Sequence, residues 1–248
     1  MRFARLLLPL LLLVVAGLAG RFVTTIRRDE GIPVSVARIP LGGFEPLAVS
    51  YLWMRAEEMR EAGGLPEAVA SYRLVTELQP HVGPAWALPA HLLVWTRSDG
   101  EDPEAEWRWV REGLDLLHRG LALSPDDTEI LWAFGLTYYR RLALEEHLRP
   151  VAVRELGRMP EELAVEAFRA LDRLDPGDAV TAYLTDSLRL LGHRADEAGE
   201  TERALAAYRE VLPRLLALAE KSEAVREEAD RIRLRIEALE KRRTQEDR

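Results

Sequence analysis

Five histidines, His81, His91, His118, His147 and His193, are the first residues to weigh for chemistry, and their spacing supports little. A zinc hydrolase built on a helix needs two imidazoles four residues apart with a glutamate beside the first, so that both ligands share one face. His147 follows Glu145 and Glu146, but no second histidine stands four residues on. The chain has no cysteine, which removes disulfides, thiolate nucleophiles and sulfur-ligated metal centres. It contains no Gly-x-Ser-x-Gly elbow and no Gly-x-Gly-x-x-Gly. Gly42-Gly43 lacks the Lys-Ser/Thr of a phosphate loop and reads as a turn. Glu57, Glu58 and Glu61 lie beside Arg55 and Arg60, the pattern of a solvated, ion-paired helix face rather than an acid–base pair. From the residues alone the expectation is no catalytic residue, no cofactor and no metal, and therefore no enzyme.

The elements that carry these residues are helical. Hydrophobic residues make up 48% of the 248 and charged residues 31%, enough apolar material for a packed body. Leu, Ala, Glu and Arg dominate, and strand-like runs are nearly absent after residue 40, so an all-α fold is expected. The net charge is −8 with both signs interleaved along the helices, which excludes the basic stripe of a nucleic-acid binder.

At the N-terminus, residues 6–20 are an uninterrupted apolar run, LLLPLLLLVVAGLAG. If Arg21 snorkels, 6–26 reaches roughly 31 Å at about 1.5 Å per residue, close to the hydrocarbon thickness of a bilayer. The expectation is a membrane segment over 1–27. An uncleaved single-pass anchor is preferred to a signal peptide cut after Gly17-Leu18-Ala19, because apolarity resumes beyond that site. Either way the rest of the chain crosses to the periplasmic or cell-surface side. Arginines on both flanks leave the orientation itself open. Residues 28–45, with Gly31, Pro33, Pro40, Gly42 and Gly43, read as an extended linker.

Over 46–219 one pattern returns four times. Leu52, Ala56 and Met59 mark one helix face, Gly63, Gly64 and Pro66 a turn, and Ala68, Tyr72, Val75 and Leu78 a second face that Pro80 ends. Trp86, Ala90 and Leu93 pair in the same way with Gly113, Leu117, Gly120 and Leu123. Leu131, Phe134, Gly135 and Tyr138 pair with Ala164, Phe168, Leu171 and Leu174. Leu188, Leu191, Gly192 and Ala195 pair with Ala204, Tyr208 and Val211. Small residues recur where two helices would cross, because a larger side chain would hold them apart. The string Leu131-x-x-Phe134-Gly135-x-x-Tyr138, followed by alanine, aromatic and proline, resembles the tetratricopeptide repeat. That resemblance implies a right-handed superhelical array of about four degenerate helix pairs, with inserts near 95–104 and 142–160. The second insert is expected to add a helical turn or short helix, and Pro213 to kink or break its helix. A last helix over 218–243, with the C-terminal region taken as 220–248, would cap the array or serve self-association through a heptad-like seam.

What the resemblance implies for function is binding along the first helix of each pair. The residues between the packing positions there include Trp53, Arg60, His91, Trp95, Trp132, Tyr139 and Arg140, and aromatics with arginine are the types enriched at interface hot spots. Val94 and Asp196 fall on the same side in this reading. The lysine–asparagine clamp by which some members of that family grip chaperone tails is missing, since Trp53, Ala87, Trp132 and Arg189 stand at the nearest positions. The expectation is a membrane-tethered scaffold that binds a protein or peptide partner, assembles an envelope complex, and takes no nucleic acid. The alternative is an enzyme or cofactor-binding subunit with its site at the inserts near 95–104 and 142–160.

Overall fold

The computed structural model describes residues 45–96, 102–219 and 222–246. The expected anchor, and the linker apart from Glu45, lie outside the described residues. Among the described residues there is no strand, and no helix is long and apolar enough to cross a membrane. The chain divides into two compact units, Met1–Pro80 and His81–Arg248.

In the first unit, α1 (Glu45–Glu61) and α2 (Leu65–Leu78) pack as a hairpin. Val49, Leu52 and Ala56 of α1 bury against Ala68, Tyr72, Val75 and Leu78 of α2. The turn is set by Gly63, whose φ of 81° favours a residue without Cβ. Gly64 N–H donates to Met59 C=O and Gly63 N–H to Arg60 C=O, which satisfies the carbonyls that end α1. Pro66, in the first turn of α2, lacks only an N–H that would have been unbonded there.

The second unit holds α3 (Gly83–Val94), α4 (Pro103–Leu123), α5 (Thr128–Leu136), a π-helical segment (Thr137–Ala143), α6 (Arg149–Leu156), α7 (Pro160–Leu174), α8 (Asp178–Glu197), α9 (Thr201–Ala219) and α10 (Glu223–Glu246). α3 packs on α4, α5 on α7, α7 on α8, α8 on α9, and α9 on α10. Asp102 caps α4 by accepting from Glu104 N–H, and Asp127 caps α5 by accepting from Ile130 N–H, each at 3.0 Å. The crossings are as tight as the small residues suggest. A Cβ on Gly113 would lie 2.8 Å from Ala90 O, one on Gly135 2.5 Å from the Phe168 ring, and one on Gly192 2.6 Å from Tyr208. Glycine therefore lets these helices approach more closely than alanine would.

Two expectations change, the first only as regards a break. Pro213 does not break its helix: α9 runs through it from Thr201 to Ala219. Pro213 and Arg209, whose carbonyl the proline cannot bond, are both exposed, so that carbonyl costs little where solvent is at hand. The stretch 218–243 is not one helix either, because Leu218 belongs to the end of α9 and α10 begins at Glu223. Along the seam of α10, Ala229, Ile232 and Leu239 are buried, Val225 and Ile236 are half-buried, and α10 packs on α9. The insert at 142–160 does contain a short helix, α6.

Candidate functional site

The π-helical segment follows α5 directly and re-aims its side chains. Thr137 Oγ1 donates to Ala133 C=O at the junction, and Leu144 N–H reaches back five residues to Tyr139 C=O at 3.2 Å. Trp132, on α5, is half-buried. Its ring meets Phe168 of α7 at 5.9 Å between centroids and Tyr183 of α8 at 5.3 Å, both edge-on. Phe168 is fully buried and stacks on Tyr183 at 5.4 Å. Tyr139 also meets Tyr183 edge-on at 5.9 Å, and Arg140 Nη1 donates to Tyr183 Oη at 3.4 Å. Trp132, Tyr139 and Arg140 are thus brought together around Tyr183, a residue that sequence reasoning missed. Next along α8, Arg189 bonds Asp186 at 3.1 Å and Glu228 of α10 at 2.8 Å. Burial raises the carboxyl pKa of Asp186, against the pull of Arg189.

Of the other sequence-predicted residues, His91 and Trp95 form a separate pair on α3 and just beyond it, with ring centroids 5.7 Å apart. Burial lowers the imidazole pKa of His91. Trp53 and Arg60 lie in the first unit. Trp53 is half-buried, edge-on to Tyr72 at 5.3 Å, while Arg60 pairs with Glu57 at 2.8 Å. Tyr72 Oη donates to the same Glu57 at 2.5 Å. Three residues placed at the binding face by their spacing are buried instead. Tyr139 is turned inward at the π segment, Val94 packs in the core, and Asp196 accepts from Arg235 of α10.

A second cluster joins the two inserts. Arg141, in the middle of the π segment, is completely buried. Its Nε donates to Val94 C=O at 2.9 Å, and its two terminal nitrogens donate to Glu106 and Glu145. The Trp95 ring lies 5.8 Å from the guanidinium carbon. His147 Nε2 is 3.3 Å from Glu106 Oε2 and 3.7 Å from Glu145 Oε2. One ligand atom each from Glu106, Glu145 and His147 falls within 4.8 Å of the others, and these are ligand types that suit a divalent cation. The guanidinium donates to both carboxylates and cancels one of their two negative charges. The arrangement therefore works as a lock that ties α3, α4, the π segment and the insert after it. Sequence phase held a clue, because Phe134, Tyr138 and Arg141 share one helix face at spacings of four and three.

No protein-family model matches the chain, and no curated protein matches it.

The carboxylates of this fold respond to pH with a definite sign. For Glu106 burial pushes the pKa up, but the His147 bond and the Arg141 charge outweigh it and hold it below the ordinary value. The Tyr72 bond lowers Glu57, and the Arg158 bond lowers Glu166. Folded values below the unfolded ones stabilise the protein fully above the ordinary carboxylate range. That stability is lost as pH falls through the folded values, while raised Asp186 acts in the opposite sense. The urea midpoint should stay level from neutral pH to near 5 and drop below about pH 4. A midpoint that climbed on acidification would show that Asp186, not these three, dominates.

Proposed function

We propose that the chain is a membrane-tethered scaffold of the tetratricopeptide type. Its soluble body lies on the extracytoplasmic side and grips a peptide or protein surface along α5 and α8 during assembly of an envelope complex. The observation that carries this reading is the aromatic row Trp132–Tyr183. Phe168 supports it from within, Arg140 flanks it, and part of its surface is left open to solvent. Rigid aromatics with an adjacent arginine supply contact area at low entropic cost. Tight crossings at Gly113, Gly135 and Gly192 support the repeat reading, and α10 packed on α9 supports a terminal cap.

The test is photo-crosslinking in intact membranes from a benzophenone side chain placed at Leu136. A discrete adduct is expected in the parent. It should vanish in Trp132→Ala/Tyr183→Ala and weaken in Arg140→Glu, which touches no core residue. An adduct unchanged in all of them, with helicity intact, would move the partner site elsewhere.

The cofactor-subunit reading has one observation in its favour: Trp95, Glu106, Arg141, Glu145 and His147 converge from the two inserts or their borders. If the cluster is only a lock, added Zn²⁺ or Mn²⁺ leaves the melting temperature unchanged. A rise with metal that disappears in His147→Ala would favour the cofactor reading over the lock.

A further inference from the structure

Helix α1 is apolar on two opposite faces, and only one of them is covered. Val49, Leu52 and Ala56 are buried, and α1 packs on α2. Leu47, Tyr51 and Met54, at spacings of four and three, share the opposite face and are 62%, 45% and 57% exposed. Arg55 flanks this patch with its Nη1 toward Tyr51 Oη at 3.5 Å, and Glu58 and Glu61 continue the same face toward the C-terminal end. The patch is therefore confined to the first three turns, the end joined to the N-terminal segment.

We propose that this face of α1 rests on the membrane surface, so that the first helix pair is oriented against the bilayer as well as tethered to it. The inference rests on the proposed anchor over 1–27. The 18 residues 27–44 separate the apolar run from α1. Even fully extended, 18 residues span no more than roughly 60 Å, which bounds how far α1 can stand from the bilayer. A tether this short holds α1 at high effective concentration over the lipid, so a small patch suffices. The chemistry fits an interface. Leucine and methionine enter the acyl boundary, the tyrosine ring sits at headgroup depth, and Arg55 reaches phosphate. The acidic end at Glu58 and Glu61 is then the end tilted away. A second copy is a poorer occupant, because three partly exposed side chains fall far short of the ~800 Å² per partner of a stable interface.

The absence of cysteine makes the test clean. Single variants Leu47→Cys, Met54→Cys, Ala70→Cys and Leu12→Cys of the full chain carry an environment-sensitive nitrobenzoxadiazole label. They are reconstituted in phosphatidylethanolamine–phosphatidylglycerol vesicles with and without doxyl-labelled lipid. The labels at 47 and 54 should be blue-shifted and lose fluorescence to the doxyl lipid, while the label at exposed Ala70 on α2 should not. Quenching at 12 with none at 47 or 54 overturns the docking and leaves the anchor standing. No quenching at any position, 12 included, overturns the anchor and the docking together. A blue shift at 47 and 54 without lipid quenching also overturns the docking. If it grows with protein concentration, a second copy covers the face; if it is independent of concentration, the chain's own residues 28–44 do.

Discussion

Replacing Arg141 with methionine should lower the unfolding free energy of the second unit by about 3–5 kcal/mol, the range for removing one partner of a buried ion pair. The guanidinium is wholly buried, and Glu106 nearly so, with both of its ion-pair partners, Arg141 and His147, in this cluster. Methionine restores the volume but leaves the nearly buried Glu106 carboxylate with His147 alone beside it, and Val94 C=O without its donor. For a unit of this size each kcal/mol moves the melting temperature by about 2–4 °C, so a fall of roughly 6–20 °C is expected. Arg141→Met/Glu106→Gln should recover part of that loss, because the stranded charge is gone. Urea unfolding of the parent, both singles and the double closes the cycle. A single-variant loss under about 1 kcal/mol would mean that water reaches the cluster and that it behaves as a surface pair.

Phe168→Ala should cost a similar amount, about 3–5 kcal/mol, and should also abolish partner capture. Phe168 is fully buried on α7, stacked on Tyr183 and edge-on to Trp132. Its ring also lies where a Cβ on Gly135 would intrude, at 2.5 Å. Truncation therefore empties the core and removes the support of the aromatic row. The complementary pair is more diagnostic. Gly135→Ala alone overpacks the crossing, at about 1–3 kcal/mol. Phe168→Leu alone leaves a gap beside the same glycine. The two together should be more stable than the sum of the separate losses predicts, and the double variant should regain crosslinking at Leu136. Strict additivity would show that the α5–α7 crossing does not depend on this contact.

The helix pairs were legible because their signal is local. Ala56 and Ala68 are fully buried, as are Ala90 and Leu117, and Ala164 and Ala204, all marked by three- and four-residue spacing alone. Asp102 and Pro103 likewise start α4 as their residue types suggest. The cluster around Tyr183 was legible only in part. Trp132 and Arg140 were found, but Tyr183 was not, although Val180, Leu184 and Leu188 carry the apolar period of α8 back past it. Tyr139 was assigned to the surface because a regular α-helical phase was assumed through Thr137–Ala143, where the backbone is π-helical.

The sequence by itself determined that the chain is helical, the buried stripes of the helix pairs, and that small residues mark the crossings. These follow from a period of about 3.6 residues and from backbone preferences that act over one or two turns. Only the tertiary structure decided that Arg141 would meet Glu106, 35 residues away in the chain, and that Trp132 would meet Tyr183. Those meetings depend on the length and path of the inserts and on how closely glycine lets two helices approach, and periodicity carries neither.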